Sequence, residues 1–295
     1  MTGQPSAVST DAGVTAQASV EGRRRLRRVI IALVIAVVAA VNLFLVGRSI
    51  GLIIGGAPAV DWQLYVEASG RLSNGGDLYA VSYDYSNRYS PLFAAVFGLI
   101  VPIGVVGWRA LHLAAVVALP NLPMRLIVLV SWPLWYDIQT GNLLTFVFLA
   151  AAWAMRGSRI AIGVYLLFVI LGPRPLMLPL AAWLLWQRPE WRLPFAAAVV
   201  VHGAAVIGLG WAEGWAGTLI AAAEDASLPS NVGPSRFVGT IPWLVVGLPL
   251  AAWLTLKGRV GWASLAASPY WLPYYLLFAA LEVDRIRWPF GISRR

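Results

Sequence analysis

Asp61, Glu67, Asp77 and Asp84 stand within one stretch, Val60 to Pro91, which also carries Tyr65, Arg88 and Tyr89. These are four of the chain's 13 acidic residues, set in a sequence that is otherwise a succession of apolar blocks. A carboxylate can take a proton from a hydroxyl nucleophile, and a guanidinium can hold a phosphate through paired N–H donors. Together they would meet the two demands of transfer from a phosphoester: a base for the incoming group and a counter-charge for the departing one. A pointed cation is available in Arg174, which lies between two apolar blocks and is flanked by Pro173 and Pro175. Those prolines remove backbone donors and break a helix. An arginine there is read either as a phosphate ligand or as a side chain snorkelling to lipid headgroups.

The spacing predicts a short helix over Trp62 to Leu72, with Asp61, Tyr65, Ala68 and Leu72 on one face and Glu67 on another. Asp61 is then either the cap of that helix or a base at the membrane surface. Tyr65, one turn on, either holds an acceptor or packs the helix to the bilayer. Asp77 falls in N-G-G-D-L-Y, where a tight turn is expected and its carboxylate would order it. Arg88-Tyr89 closes the stretch before Pro91, placing a guanidinium for a lipid phosphate or for interfacial anchoring. Arg236 follows the same logic in a second polar segment, Ala212 to Phe237. His202 and His112 lie in apolar blocks, where a helix-to-helix hydrogen bond or a phosphate contact would satisfy them. Asp137 would order the following Q-T-G-N turn.

The elements that must position these groups are membrane helices. With 59% hydrophobic and only 12% charged residues, the composition lies far from the usual one quarter or so charged. Every backbone group in lipid must be satisfied within a helix or a closed barrel, and the continuous apolar blocks favour helices. Residues 1–28 read as a disordered basic cytoplasmic tail ending in Arg23 to Arg28, and Val29 to Val46 as an uncleaved first span. The transmembrane domain is expected over 29–284, with a first outer loop at 55–91, a second at 212–237 and a cytoplasmic tail at 285–295. Arginine and lysine at block ends suggest about nine or ten membrane segments. The net charge of +9 is scattered over those ends, which argues against nucleic acid. The absence of cysteine rules out disulfides and thiolate metal sites, and two histidines are too few for a histidine-rich metal centre. No Gly-rich phosphate loop follows a predicted strand, which argues against a nucleotide-dependent enzyme.

The runs D-W-Q-L-Y (Asp61 to Tyr65), L-S-N-G-G-D-L-Y (Leu72 to Tyr79) and R-Y-S-P-L-F (Arg88 to Phe93) together resemble the first outer loop of GT-C-fold membrane glycosyltransferases. Within these the chain is most similar to family 87, which includes polyprenyl-phosphate-mannose-dependent mannosyltransferases. T-G-N-L-L (Thr140 to Leu144), G-P-R-P-L (Gly172 to Leu176) and N-V-G-P-S (Asn231 to Ser235) resemble three later segments of that family. Two departures stand out: Asn142 where the family has glutamine, and Arg174 where it has lysine.

The resemblance implies an all-α, GT-C-like polytopic bundle with a juxtamembrane helix in the first outer loop. It implies Asp61 as general base, with Tyr65, Asp77, Arg88, Tyr89, Arg174, Asn231 and Arg236 contacting substrate, and no metal or cofactor beyond a polyprenyl-phosphate sugar donor. The implied activity is transfer of a sugar, mannose by the family pattern, to a lipid-linked glycan at the outer face of the cell membrane in cell-envelope biosynthesis. The implied partners are the two lipid-linked substrates and the membrane lipids. A transporter or flippase for a lipid-linked glycan, and a non-catalytic relative that binds prenyl lipid, remain the alternatives.

Overall fold

The computed structural model describes residues 10–80, 88–221 and 230–285. Asp84, and the tail expected at 285–295 beyond its first residue, lie outside them. Among the described residues every regular element is a helix, and together they form a helical bundle.

Helix α1 (Thr10–Ile54) runs without a break. The segment expected to be an unstructured tail as far as residue 28 is therefore helical from Thr10. The reason lies in its composition: Ala, Gln, Glu and Arg are good helix formers, and they feed into an aliphatic run that extends the same helix. The long helix touches the bundle near its C-terminal end, where Asn42 Nδ2 donates to Val130 O and Asn42 Oδ1 accepts from Trp132 N, both at 2.8 Å. From Arg23 to Val41 its side chains are exposed.

Helices α2 (Val60–Ser73), α3 (Pro91–Gly98), α4 (Gly104–Val117), α5 (Leu122–Leu129), α6 (Trp132–Thr140), α7 (Leu144–Met155) and α8 (Arg159–Leu171) follow. After them come α9 (Leu178–Gln187), α10 (Arg192–Gly208), α11 (Ala212–Ala221), α12 (Ser235–Val238), α13 (Thr240–Leu256) and α14 (Val260–Ala267). A 3-10 helix (Pro273–Arg285) ends the described chain. Local chemistry sets several of these boundaries. Ser90 caps α3 by accepting from Phe93 N at 3.3 Å ahead of Pro91, and Asn121 caps α5 by accepting from Met124 N at 2.7 Å ahead of Pro123. Helix α6 stops at Gly141 in the left-handed region, φ +72°.

Among the described residues two helical stretches are long and apolar enough to cross a membrane, Arg23–Ile54 and Pro189–Gly208, or three if the bent pair Pro91–Gly98 and Val101–Val117 counts as one. This is fewer than the nine or ten expected. The other apolar blocks fold as shorter helices, such as the 12 residues of α7 and the 13 of α8. At ~1.5 Å per residue these fall well short of ~30 Å of hydrocarbon. Prolines and glycines inside the blocks are what divide them. The block from Val260 to Leu281 is likewise divided, with α14 ending at Ala267 ahead of Pro269 and a 3-10 helix starting at Pro273.

The core gathers on α7, α8, α9, α14 and the 3-10 helix, with Leu144, Phe148, Ile162, Leu180, Val260 and Phe278 fully buried. Tyr165 on α8 donates its hydroxyl to Met177 O at 2.8 Å, which pins the turn that follows Arg174. By contrast α1, α10 and α13 turn large aliphatic side chains outward.

Candidate functional site

Asp61 lies in the first turn of α2, but it does not cap the helix: the cap position is Ala59, which makes no side-chain hydrogen bond. The Asp61 carboxylate instead accepts from Asn142 Nδ2 at 3.0 Å. That approach depends on Gly141. A Cβ there would lie 2.7 Å from Trp62 Cβ and 3.2 Å from Ala59 Cβ, and the positive φ would strain any other residue. Trp108 Nε1 donates to Gly141 O at 2.8 Å and fastens the same turn to α4.

Tyr65, one turn along α2, is buried edge-on against Tyr89, Phe93 and Phe97, with ring centroids 5.0 to 5.3 Å away. Its hydroxyl donates to Tyr89 Oη at 3.3 Å. Tyr89 in turn stacks on Phe93 at 4.3 Å, and the following residue, Ser90, donates its N–H to Leu171 O at 2.7 Å. The strap before α3 is thereby tied to the end of α8. There Gly172 leaves room for the Tyr89 ring, since a Cβ would come 2.4 Å from Tyr89 Cδ1.

Pro173 and Pro175 hold Arg174 in an extended link between α8 and the next turn. Its Nη2 donates to the Tyr89 hydroxyl, and its Cζ lies 5.0 Å from the Tyr89 ring centre and 5.7 Å from that of Tyr275. Nη1 is buried without a hydrogen-bond partner. A guanidinium offers five N–H donors and no acceptor, so an unfilled Nη1 beside a cavity is a place for an anionic oxygen.

The cavity itself measures about 610 Å³. Asp61, Tyr65, Arg88, Tyr89 and Arg174 all line it. The opposite wall comes from Tyr136, Gln139 and Thr140 at the end of α6 and from Tyr270, Tyr274 and Tyr275 before and within the 3-10 helix. Pro58, Val60, Leu64, Leu178 and Leu272 supply apolar lining. Burial pushes the Asp61 carboxyl above its ordinary value, with hydrogen bonds from Asn142 and Thr140 and the charge of Arg174 pulling it part of the way back. Tyr89 is pushed up to about 12, again chiefly by burial and against the pull of Arg174, so its phenol is neutral at physiological pH.

Three residues expected at the site lie off this wall. Asp77 accepts from Tyr79 N at 3.0 Å, ordering its own turn beside a separate, smaller pocket with Trp211 and Gly214. Asn231 is buried and committed to structure: Nδ2 donates to Ser235 Oγ at 3.1 Å, and Oδ1 accepts from Gly233 N and Trp271 N, both at 2.9 Å. Arg236 is exposed, with Nη1 donating to Asn231 O at 3.4 Å. The polarity of these residues serves the loops that carry them. The sequence reading in turn missed Tyr136, Tyr270, Tyr274 and Tyr275. Its available signal was Y-W-L-P-Y-Y, three phenols and a proline interrupting an apolar block.

His202 is buried with neither ring nitrogen hydrogen-bonded, edge-on to Trp215 at 5.4 Å, and lies away from the cavity. Among the described residues no group of three His, Cys, Asp or Glu could hold a metal ion. No protein-family model, curated protein or solved structure matches this chain.

Proposed function

We propose that this chain is an integral membrane glycosyltransferase that moves a sugar, mannose by the family resemblance, from a polyprenyl phosphate to a lipid-linked glycan at the outer membrane face. The observation that carries the reading is the sharing of one cavity by Asp61 and Arg174, which stand 113 positions apart in the sequence. The apolar outward faces of α1, α10 and α13 support a lipid setting for it, since soluble monomers rarely expose such surfaces. A polytopic GT-C-like arrangement is part of the same proposal, with the shorter apolar helices completing the membrane-embedded bundle.

In this reading the acceptor hydroxyl attacks the anomeric carbon of the donor sugar while the bond from that carbon to the phosphate oxygen breaks. The bonding electron pair leaves on the phosphate, and the hydroxyl proton passes to Asp61. Arg174 meets the growing phosphate charge with its unfilled Nη1, held in place by the Tyr89 hydroxyl and two aromatic faces. Arg88 offers a second cation on the cavity wall. The raised proton affinity of Asp61 suits a base, because a carboxylate in its ordinary range is a weak proton acceptor near neutrality. The tyrosine faces suit a sugar ring and the apolar lining a prenyl chain.

The test is transfer of labelled sugar from polyprenyl phosphate by the purified protein in lipid, comparing the parent chain with Asp61→Asn and Arg174→Met. Loss of about 10²-fold or more in Asp61→Asn is expected. Equal rates would remove Asp61 as base, and absence of transfer by the parent across a panel of donors and acceptors would remove the activity.

A further inference from the structure

Asn142 leaves the left-handed end of α6 with its polar atoms committed. Its N–H donates to Asp137 O at 3.1 Å, and its Oδ1 accepts from Leu143 N at 2.8 Å. The second bond fixes which way the amide faces, because a flipped amide would set two donors against each other. Nδ2 is thereby turned to Asp61 Oδ2 at 3.0 Å. Behind it, the Asn142 carbonyl oxygen lies 2.6 Å from His112 Nε2, while His112 Nδ1 lies 2.8 Å from Trp108 O. Both ring nitrogens face oxygens that only accept, so the ring that satisfies both is an imidazolium. Its counter-charge is Asp137, whose Oδ2 lies 3.5 Å from Nε2 and also accepts from Thr145 N at 2.8 Å and Thr145 Oγ1 at 2.6 Å. His112 and Asp137 are fully buried and neither lines the cavity. A buried ion pair is seldom a net source of stability, so a pair placed directly behind the cavity wall calls for another role.

We propose that Asn142 is the positioning residue for Asp61, and that the buried His112–Asp137 pair is the brace that holds Asn142 in place. This rests on the reading of Asp61 as the base. The charged and titratable groups acting on Asp61 are Arg174 beyond α8, Asp137 on α6, Tyr65 on α2, Tyr89 before α3 and Tyr274 in the 3-10 helix. Asn142 and Thr140 are the neutral donors to its carboxylate. The brace sets Oδ2 of Asp61 against a fixed donor. It also pairs the negative charge of Asp137, which would otherwise act on Asp61 uncompensated.

The experiment uses the full chain in lipid nanodiscs and two readouts. The first needs no substrate: melting temperatures of each variant, with and without Asp61→Asn, are compared from pH 4 to pH 8; the gap opens in the unfolded carboxylate range, and the pH at which it stops widening reports the ionisation of Asp61 in the folded chain. The levelling-off is expected at higher pH in Asn142→Leu, which loses the donor to the charged form, and in His112→Gln, which leaves Asp137 unbalanced; Asn142→Gln, which keeps an amide, should restore the parent value. The second is the pH profile of transfer: Asn142→Leu should lose about tenfold on the acid side and recover toward alkaline pH, with KM for the donor unchanged. If Asn142→Leu does not fold, Asn142→Ala makes the same comparison. An unchanged levelling-off pH in Asn142→Leu and Asn142→Ala would overturn the positioning role, and one unchanged only in His112→Gln would overturn the brace. No transfer by any form, the parent included, would refute the proposed activity while the melting curves still decide the brace.

Discussion

Gly172→Ala should act through Tyr89 and nothing else. The φ of Gly172 is −150°, outside the left-handed region that favours glycine, so the main effect of the substitution is the added methyl group. That methyl would sit 2.4 Å from Tyr89 Cδ1 and 2.6 Å from Cε1, whereas ordinary contact begins near 3.4 Å. The ring must therefore retreat by about 1 Å, and it is already stacked on Phe93 at 4.3 Å. Overpacking of this kind costs about 1–3 kcal/mol. The displaced ring carries the hydroxyl that joins Tyr65 to Arg174, so the cation should shift with it. A misplacement of about 1 Å in a catalytic group can cost about 10²-fold in rate. The assay is a double-mutant cycle in detergent, with melting temperature read for Gly172→Ala, Tyr89→Leu and the pair. In the Tyr89→Leu background, where the ring is absent, the added methyl should cost much less. An equal penalty in both backgrounds would refute the packing argument, and unimpaired transfer by Gly172→Ala would refute the link from Tyr89 to Arg174.

Other substitutions separate the remaining parts of the site. Because the folded state raises the proton affinity of Asp61, stability falls as pH rises from the unfolded carboxylate range through the folded one; Asp61→Asn should therefore melt higher than the parent at pH 7, with the gap closing toward pH 4. Arg174→Lys keeps the charge but loses the planar fork and the ring contacts, and is expected to raise KM for a phosphate-linked donor about tenfold while leaving the melting temperature near the parent's. Gly141→Ala combines a φ of +72° with a Cβ 2.7 Å from Trp62 Cβ, and should destabilise by roughly 2 kcal/mol or more, read by thermal unfolding. Asp77→Ala removes one turn-ordering bond to Tyr79 N and should lower stability by about 1 kcal/mol without altering donor KM.

Much of the local structure follows from the amino-acid sequence alone. The apolar blocks specify helices, Pro and Gly divide them, Ser90 and Asn121 cap through bonds to residues three positions on, and the i, i+4 spacing sets Tyr65 beside Asp61 on one short helix. Asp77 ordering its own turn was legible for the same reason: the interaction is between near neighbours, and turn chemistry is local. Even the candidacy of Arg174 could be read from its types of neighbour, since a guanidinium between prolines amid aliphatic blocks has few uses.

What the sequence does not contain is which distant segments meet. Asn231 and Arg236 look as suitable for a ligand as Arg88 does, and only packing sends them to brace a loop while Arg88 reaches the cavity. The tyrosines at 270–275 pass for part of an apolar span until the turn at Ser268 brings them opposite Asp61. Asp61 itself was assigned two roles by its neighbours, cap or base; the fold removes the cap by setting it inside α2 and gives its carboxylate a partner in Asn142, 81 positions away. The physical reason is one of range. Helix periodicity, capping and turns are settled within a few residues, whereas the solvation and partners of a carboxylate are settled by whatever the fold packs against it, and that sum is computed only when the chain closes on itself.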